Sequence, residues 1–294
     1  MLRSFFMPMN SPLQEIEYNG YTLHIKRDDL IDPFVSGNKA RKLKYILEAA
    51  KREGKSHLVT FGGAYSNHLV AAAAAAARNG LESTAFVRGE AVENEMLLLC
   101  KLFGMRLIFT SREAYLDKPG LFLQNFGADA NAYFIDEGGA GPDAARGCAE
   151  LVADLPQDTD HIFCSAGTGT TAAGILNGMQ EYGSKASLEI VPAIKGGDGL
   201  TGAISLLTDQ QNYTMHTDHH FGGYAKTTPE LISFIKGFTA KTGILIDPVY
   251  TGKMFFAINA LITEGKIARD KKIVAIHTGG LLGIWGMRDK FSVL

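Results

Sequence analysis

Short apolar runs alternate with amphipathic stretches along almost the whole chain. The apolar runs predict strands at 57–61, 83–87, 106–110, 132–135, 161–165, 188–194 and 272–277. The stretches between them predict helices at 41–53, 66–79, 92–103, 142–155, 170–181, 201–208, 229–242 and 253–264. Strands that are apolar throughout and separated by helices are typical of parallel α/β sheets covered on both faces. The pattern therefore predicts an α/β fold built on parallel sheets.

Composition narrows the class of protein. The chain has 294 residues, enough for one or two domains with a large core, and a net charge of −2 that indicates no nucleic-acid partner. Three cysteines without a CxxC pair favour a reducing compartment over a disulfide framework or a structural zinc site. The first residues do not resemble a signal peptide, and the longest apolar run, 69–77, is too short to span a membrane. We expect a cytoplasmic protein without a membrane partner.

Lys39 stands in the segment SGNKARKL, at the transition from an extended stretch to a helix. The N-terminal end of a helix carries partial positive charge, so a lysine is disfavoured there as a cation. A lysine that is easily made neutral is the nucleophile of Schiff-base chemistry. The alternative is a solvated lysine beside Arg41, Lys42 and Lys44, and this segment alone favours that alternative. We interpret Lys42 and Lys44 as ordinary helix lysines.

Two loops follow predicted strands, at the edge where open parallel sheets bind ligands. The first contains Tyr65, Ser66, Asn67 and His68. Ser66 or Asn67 could simply cap the next helix, but a cap does not require both, so we favour a functional role for them. His68 by itself is also compatible with a structural role.

The second loop, 165–174, has the sequence SAGTGTTAAG and precedes a helix. Backbone N–H groups converge in such a loop, and phosphate is the natural ligand. The loop lacks the Gly-Lys-Ser/Thr ending of a P-loop, and its glycine spacing differs from a dinucleotide fingerprint. Phosphate binding without nucleotide hydrolysis is therefore the favoured interpretation.

Three further polar residues also lie next to the ends of predicted elements, but a functional role is less strongly indicated for them. Tyr250 and Thr251 lie in DPVYTGK, and Thr278 follows the last apolar strand. Each could bind a ligand or serve the fold equally well. The candidate ligands for a metal site are His216, Asp218, His219 and His220. Their spacing matches no helical ligand pair and is typical of a solvated loop, so a metal site is a weaker interpretation. We expect no metal.

The motifs SGNKARKL, SNH, GTGTT, PVYTGK and HTGG occur in one order, between about residues 25 and 280. This order resembles pyridoxal-phosphate enzymes of the tryptophan-synthase β-like fold, and most closely the family of 1-aminocyclopropane-1-carboxylate deaminase and D-cysteine desulfhydrase. The resemblance implies two open twisted parallel-sheet domains. Residues 1–43 and 152–294 would form the larger, cofactor-binding domain, and residues 44–151 a smaller one that closes over the site. It also implies a homodimer.

The resemblance implies a role for each candidate residue. Lys39 would carry pyridoxal phosphate as a Schiff base, and Asn67 would bind its phenolic oxygen. Thr251 and Thr278 would approach the pyridine nitrogen. The phosphate would lie on the backbone of Ala166, Gly167, Thr168, Gly169 and Thr170. A small amino-acid substrate would contact Tyr65, Ser66, Asn67, His68, Tyr224 and Tyr250. The catalytic residues would be Lys39, Ser66 and Tyr250.

Two departures bear on the substrate. Thr251 replaces the glutamate typical of ring-opening deaminases, as it does in desulfhydrases, and Tyr65 replaces a glutamine usual in both groups. We therefore expect D-cysteine desulfhydration first and 1-aminocyclopropane-1-carboxylate deamination second. A threonine brings no carboxylate charge, so we expect the pyridine nitrogen to stay less protonated than beside an aspartate. A noncatalytic pyridoxal-phosphate protein and a dinucleotide oxidoreductase are weaker alternatives.

Overall fold

Ten strands form two separate sheets in the computed structural model, which describes residues 9–292. The larger sheet has the order β1-β2-β10-β7-β8-β9, with strands at Leu13–Tyr18 (β1), Tyr21–Lys26 (β2), His161–Ala166 (β7), Ser187–Pro192 (β8), Tyr213–Met215 (β9) and Ile273–Ile276 (β10). The smaller has the order β5-β4-β3-β6, with strands at His57–Gly63 (β3), Glu82–Arg88 (β4), Arg106–Thr110 (β5) and Ala132–Ile135 (β6). Every pairing is parallel except that of β1 with β2. The predicted α/β class with two parallel-sheet units is confirmed.

Helices connect most of the strands. They span Asn38–Arg52 (α1), Asn67–Arg78 (α2), Glu95–Leu102 (α3), Lys118–Phe126 (α4), Pro142–Ala149 (α5), Thr170–Glu181 (α6), Asp198–Ser205 (α7), Pro229–Thr242 (α8), Thr251–Thr263 (α9) and Arg288–Ser292 (α10). Each predicted strand and helix has a counterpart at nearby bounds. The helix predicted over 142–155 is shorter, because the chain tightens into a 3₁₀ turn at Glu150–Asp154. No helix within residues 9–292 is both long and apolar enough to cross a membrane.

The central strands explain the parallel architecture. Residues 58–62 in β3 and 162–166 in β7 are buried without interruption, so helices must cover both faces of each sheet. On the smaller sheet, one covering layer is the alanine-rich α2, where Ala71, Ala74 and Ala75 pack against Leu43 of α1. Small side chains let these two helices approach closely. Helix α1 is thereby fixed against the smaller sheet.

The start of α1 is also fixed to the loop that follows β10. The N–H of Asn38 donates to the carbonyl of Thr278 at 3.2 Å. Gly37 has φ +61°, and a Cβ at this position would lie 1.8 Å from the same carbonyl oxygen. Only glycine allows so close an approach of two backbones. This contact brings Lys39 next to the carboxyl end of β10.

Candidate active site

Lys39 is half-buried in the first turn of α1, and its Nζ lies 3.4 Å from the carbonyl oxygen of Gly138. Burial of the amine holds the pKa of Lys39 well below its ordinary value, and the neighbouring charge of Lys42 lowers this pKa further. A buried lysine with a lowered pKa is readily deprotonated. Lys39 is therefore suited to act as a nucleophile or a base.

Lys42 is not an ordinary solvated lysine, so that interpretation is wrong. It is 2% exposed, and its Nζ lies 3.2 Å from the same Gly138 carbonyl that faces Lys39. Residues three apart share one face of a helix, and this face is turned into the protein. Lys44 lies on another face and forms an ion pair with Glu150 at 2.6 Å. Only Lys44 matches the sequence interpretation.

The loop after β3 brings its polar residues to different environments. Ser66 caps α2, where its Oγ accepts the N–H of Leu69 at 3.4 Å. Within the described chain, the buried side-chain oxygen Oδ1 of Asn67 has no hydrogen-bond partner. Tyr65 is 48% exposed, and its ring lies 2.7 Å from where a Cβ on Gly286 would be. In this loop the side-chain oxygen of Asn67 and Nδ1 of His68 thus have unused hydrogen-bonding capacity.

His68 lies behind this loop. It is 2% exposed, and its Nε2 is 2.7 Å from the hydroxyl of Thr60. Burial and the charges of Lys39 and Lys42 hold the pKa of His68 well below its ordinary value. The imidazole is therefore neutral and buried, within electrostatic reach of both lysines. This burial fits a supporting position better than the direct substrate contact predicted for it.

The Gly- and Thr-rich loop after β7 lies next to the Lys39 segment. Asn38 Nδ2 donates to Thr171 Oγ1 at 2.9 Å. Gly169 caps α6 in the left-handed conformation, with φ +79°. The first N–H groups of α6 have no partner within the helix, so they can bind an anion. The hydroxyl groups of Thr168 and Thr170 lie 3.3 Å apart at the same helix end.

Tyr250 packs on this loop from the other side. A Cβ on Gly167 would lie 3.1 Å from the Tyr250 ring. The rings of Tyr250 and Tyr224 meet edge to face, with centroids 6.2 Å apart. Burial raises the pKa of both phenols, so both are neutral at pH 7. The structure thus brings Lys39, the loop 166–170 and the two tyrosines together.

Thr251 is fully buried, and its hydroxyl is engaged by Asp247. The N–H of Asp247 donates to Thr251 Oγ1 at 2.8 Å. The Asp247 carboxylate, 1% exposed, accepts the N–H groups of Val249, Tyr250 and Thr251. Burial raises the pKa of Asp247 to about 6. Sequence reasoning missed this residue, because an Asp-Pro pair before a helix is typical of an ordinary turn.

Thr278 occupies the loop between β10 and the 3₁₀ helix Leu281–Met287, and is 7% exposed. Its carbonyl accepts the N–H of Asn38 at the start of α1. Together these segments form one polar centre between the carboxyl ends of β3, β7 and β10.

A model of the family described as "Pyridoxal-phosphate dependent enzyme" matches residues 8–279. The chain belongs to this family. This enzyme is 31% identical to the putative 1-aminocyclopropane-1-carboxylate deaminase of Thermotoga maritima, over 92% of each chain. It is 30% identical to the bifunctional D-cysteine desulfhydrase/1-aminocyclopropane-1-carboxylate deaminase of Arabidopsis thaliana, over 94% of this chain and 76% of the relative. A crystal structure of an ACC deaminase homologue, 28% identical, superimposes with a TM-score of 0.86, over 98% of this chain and 95% of the other.

The residues present fit pyridoxal phosphate. The enzyme offers an amine of lowered pKa at Lys39 and, at the start of α6, N–H groups that have no partner within the helix and can bind a phosphate. Four side chains among residues 9–292 have a buried oxygen without a partner, and two of them, Asn67 and Ser165, belong to the loops of this site; the others are Tyr115 and Thr239. Buried polar atoms without partners in a native structure require an explanation, and a polar ligand is one. The predicted cofactor is thus confirmed at the family level.

The histidines proposed for the weaker metal interpretation are not arranged around a metal. His216 Nε2 pairs with Glu189 Oε2 at 2.8 Å, and Glu189 also pairs with His161 at 2.9 Å. The described residues contain no group of three or more His, Cys, Asp or Glu side chains that could hold a metal ion. His161, His216, His219 and Glu189 instead line a separate cavity on the α9 side of the larger sheet.

Proposed function

We propose that this enzyme converts D-cysteine and water to pyruvate, hydrogen sulfide and ammonia. The observation that carries the proposal is the half-buried Lys39, whose amine has a lowered pKa, beside a loop suited to bind an anion. The names of the relatives support this reaction and the deamination of 1-aminocyclopropane-1-carboxylate to 2-oxobutanoate equally. Thr251, in the position where ring-opening deaminases carry glutamate, favours D-cysteine.

The proposed roles are those that the family resemblance implies, and the chemistry of each residue supports them. When bound, pyridoxal phosphate withdraws electrons from the Cα of the substrate. Lys39 would carry the cofactor and then, as a free amine, accept the Cα proton. The phosphate would be held by the backbone of Ala166, Gly167, Thr168, Gly169 and Thr170. Thr251 and Thr278 would stand beside the pyridine nitrogen.

The substrate would be held on the side of the site formed by the loop after β3. Ser66 and Asn67, at the start of α2, would bind the substrate carboxylate, since a helix N-terminus favours an anion. Tyr250 and Tyr224 are neutral phenols and could donate a proton to the departing thiolate. Tyr65 would limit the size of the substrate. We propose His68 as a neutral support behind Asn67.

We also propose the larger-scale features that the resemblance implies. Residues 44–151 would form the smaller domain, which includes the whole four-stranded sheet, and would close on the substrate. The three cysteines are free and buried, which supports a reducing compartment such as the cytoplasm. Light scattering of the purified enzyme would give one homodimer mass if the implied assembly is correct, and a monomer mass would contradict it.

The substrate assay separates the two candidate reactions. With D-cysteine we expect hydrogen sulfide and pyruvate in equal amounts, at a kcat/KM at least about tenfold above that for 1-aminocyclopropane-1-carboxylate, a free-energy difference of about 1.4 kcal/mol in the transition state. L-Cysteine serves as the matched stereochemical control. Formation of 2-oxobutanoate from the cyclopropane substrate, with D-cysteine inert, would reverse the ranking.

Ser66→Ala should reduce turnover without removing the cofactor. Loss of one hydrogen bond to a charged carboxylate should lower kcat/KM by about 10- to 100-fold, while the yellow colour of the enzyme stays unchanged. The change also removes a helix cap, at a cost of about 1 kcal/mol in stability. Thr228→Ala is the matched control, because Thr228 caps α8 by accepting the N–H of Leu231 at 3.3 Å. Equal loss of colour and activity in Ser66→Ala would make Ser66 a cofactor residue instead.

A further inference from the structure

Asp247 and Thr251 are joined by hydrogen bonds in both directions. The backbone N–H of Asp247 donates to Thr251 Oγ1 at 2.8 Å, and the Thr251 hydroxyl donates to Asp247 Oδ2 over a longer 3.4 Å. Neither residue is more than 1% exposed. A threonine hydroxyl has one hydrogen. With that hydrogen directed to the carboxylate, the oxygen of Thr251 can offer any further group only a lone pair.

The Asp247 carboxylate lies close to the proposed cofactor position. A Cβ on Gly280 would be 3.2 Å from Asn67 Nδ2 and 4.0 Å from Asp247 Oδ2. One glycine of the loop after β10 therefore separates the carboxylate from the amide proposed to bind the phenolic oxygen. Inside a protein, where water is excluded, a charge at this distance acts far more strongly than in solvent.

We propose that Asp247 is a positioning residue that holds the hydroxyl hydrogen of Thr251 and so makes Thr251 a hydrogen-bond acceptor toward the pyridine nitrogen. An acceptor favours the protonated form of that nitrogen. The inference rests on the proposed function, since it requires Thr251 to stand beside the cofactor ring. It replaces the expectation that a threonine in this position leaves the nitrogen less protonated. A carboxylate charge is present at Asp247, which contacts the Thr251 hydroxyl, one side chain away from the proposed cofactor position.

Asp247 is mainly ionised at pH 7.5 although burial raises its pKa. Burial raises its pKa to about 6, against the opposing effect of the N–H groups that it accepts. The charged or titratable groups that bear on it are Lys253 in α9 and the phenols of Tyr250 and Tyr224. Burial lowers the pKa of Lys253 to about 8, and Asp247 opposes this effect. At pH 7.5 Asp247 is therefore a carboxylate beside neutral phenols and a largely protonated lysine.

Asp247→Asn should reverse the direction of the hydrogen bond between Thr251 Oγ1 and residue 247, with little change in side-chain shape. The asparagine Oδ1 can still accept the N–H groups of Val249 and Tyr250. Its amide nitrogen, in place of Oδ2, would donate to Thr251 Oγ1 and would no longer accept the N–H of Thr251. The threonine hydrogen would then be free to donate to the pyridine nitrogen, which favours the unprotonated form. We expect the protonation constant of the nitrogen to fall at least about tenfold, the equivalent of one pH unit.

The direct readout is the ¹⁵N chemical shift of ¹⁵N-labelled pyridoxal phosphate bound to the intact enzyme, followed between pH 6.5 and 9. The unchanged enzyme should show a protonated nitrogen at pH 7.5, and Asp247→Asn an unprotonated one. Thr251→Val removes the hydroxyl and should also lose the protonated form, whereas Thr251→Ser keeps the hydroxyl and should restore it. If Asp247→Asn does not fold, a nitrogen that stays protonated in Thr251→Val overturns the inference, because Asp247 is proposed to act only through the Thr251 hydroxyl.

Borohydride reduction of the same samples separates this inference from the proposed function. If the enzyme forms a pyridoxyl adduct on Lys39 but the nitrogen has the same protonation in all variants, the role of Asp247 is overturned and the proposed site stands. If no adduct forms on Lys39 in the unchanged enzyme, the proposed function itself is overturned. Adduct formation in every variant, with loss of the protonated nitrogen in Asp247→Asn and Thr251→Val only, supports the inference.

Discussion

Replacing Lys39 with alanine should lower kcat/KM for D-cysteine by at least about 10³-fold, because one side chain supplies both the covalent link to the cofactor and the base for the Cα proton. Its position fits both tasks, with burial and Lys42 lowering its pKa. Steady-state rates of pyruvate formation at pH 7.5 give the ratio directly. We expect cofactor to bind to the variant more weakly and without a covalent bond.

Lys44→Ala is the matched control for this prediction. Lys44 belongs to the same helix and forms a partly exposed ion pair with Glu150. Its removal should change kcat/KM by no more than about twofold, since surface pairs contribute little. A Lys39→Ala enzyme that retained a tenth of the activity would contradict the assignment of the base.

Arg41→Met should lower the free energy of unfolding by about 3–5 kcal/mol, the usual result of breaking a buried ion pair from one side. Arg41 Nε and Nη2 donate to the two carboxylate oxygens of Asp28 at 2.6 and 2.8 Å. Arg41 is 1% exposed and Asp28 is fully buried. The methionine would fill a similar space but leave the carboxylate without its cationic partner. Urea unfolding of the apoprotein at pH 7 measures the difference.

Lys44→Met tests whether burial of the ion pair causes the large loss of stability expected for Arg41→Met. It removes a positive charge from the same helix at a partly exposed site, so it should cost no more than about 1 kcal/mol. The double variant Asp28→Leu/Arg41→Met removes both charges and should regain part of the stability lost by Arg41→Met alone. Equal losses for Arg41→Met and Lys44→Met would show that Asp28 and Arg41 contribute no more than a surface pair.

The sequence could predict the elements whose local signals agree with the fold. Helix α8 has the predicted bounds because Thr228 caps it, Pro229 suits its first turn and Gly243 ends it in the left-handed conformation. Strands β3 and β7 are apolar throughout, which is typical of buried parallel strands.

The missed elements carry weaker or contrary local signals. The antiparallel hairpin of β1 and β2 mixes polar and apolar residues because it forms one edge of the sheet. Its turn, Asn19-Gly20, has positive φ at both residues and would have predicted the hairpin. Pro119 and Gly120 concealed α4, although both lie in its first turn, where they are tolerated.

Much of the candidate site was predictable for a topological reason. Loops that follow parallel strands are where such sheets bind ligands, so the sequence alone could single out Asn67 and the loop 166–170. These loops follow strands of two different sheets, and only the family resemblance grouped them with Lys39. The importance of Lys42 and Asp247 could not be predicted in this way. Their burial depends on packing by segments distant in sequence, and a local pattern does not report which charged side chains water can reach.

Every proposed role in the site depends on Lys39 holding pyridoxal phosphate. The most direct measurement is borohydride reduction of the purified enzyme loaded with the cofactor, followed by peptide mass spectrometry. We expect loss of the yellow colour and a single pyridoxyl group on Lys39, with none on Lys42 or Lys44. A pyridoxyl group on another lysine, or a protein that stays unmodified and takes up no cofactor, would contradict it.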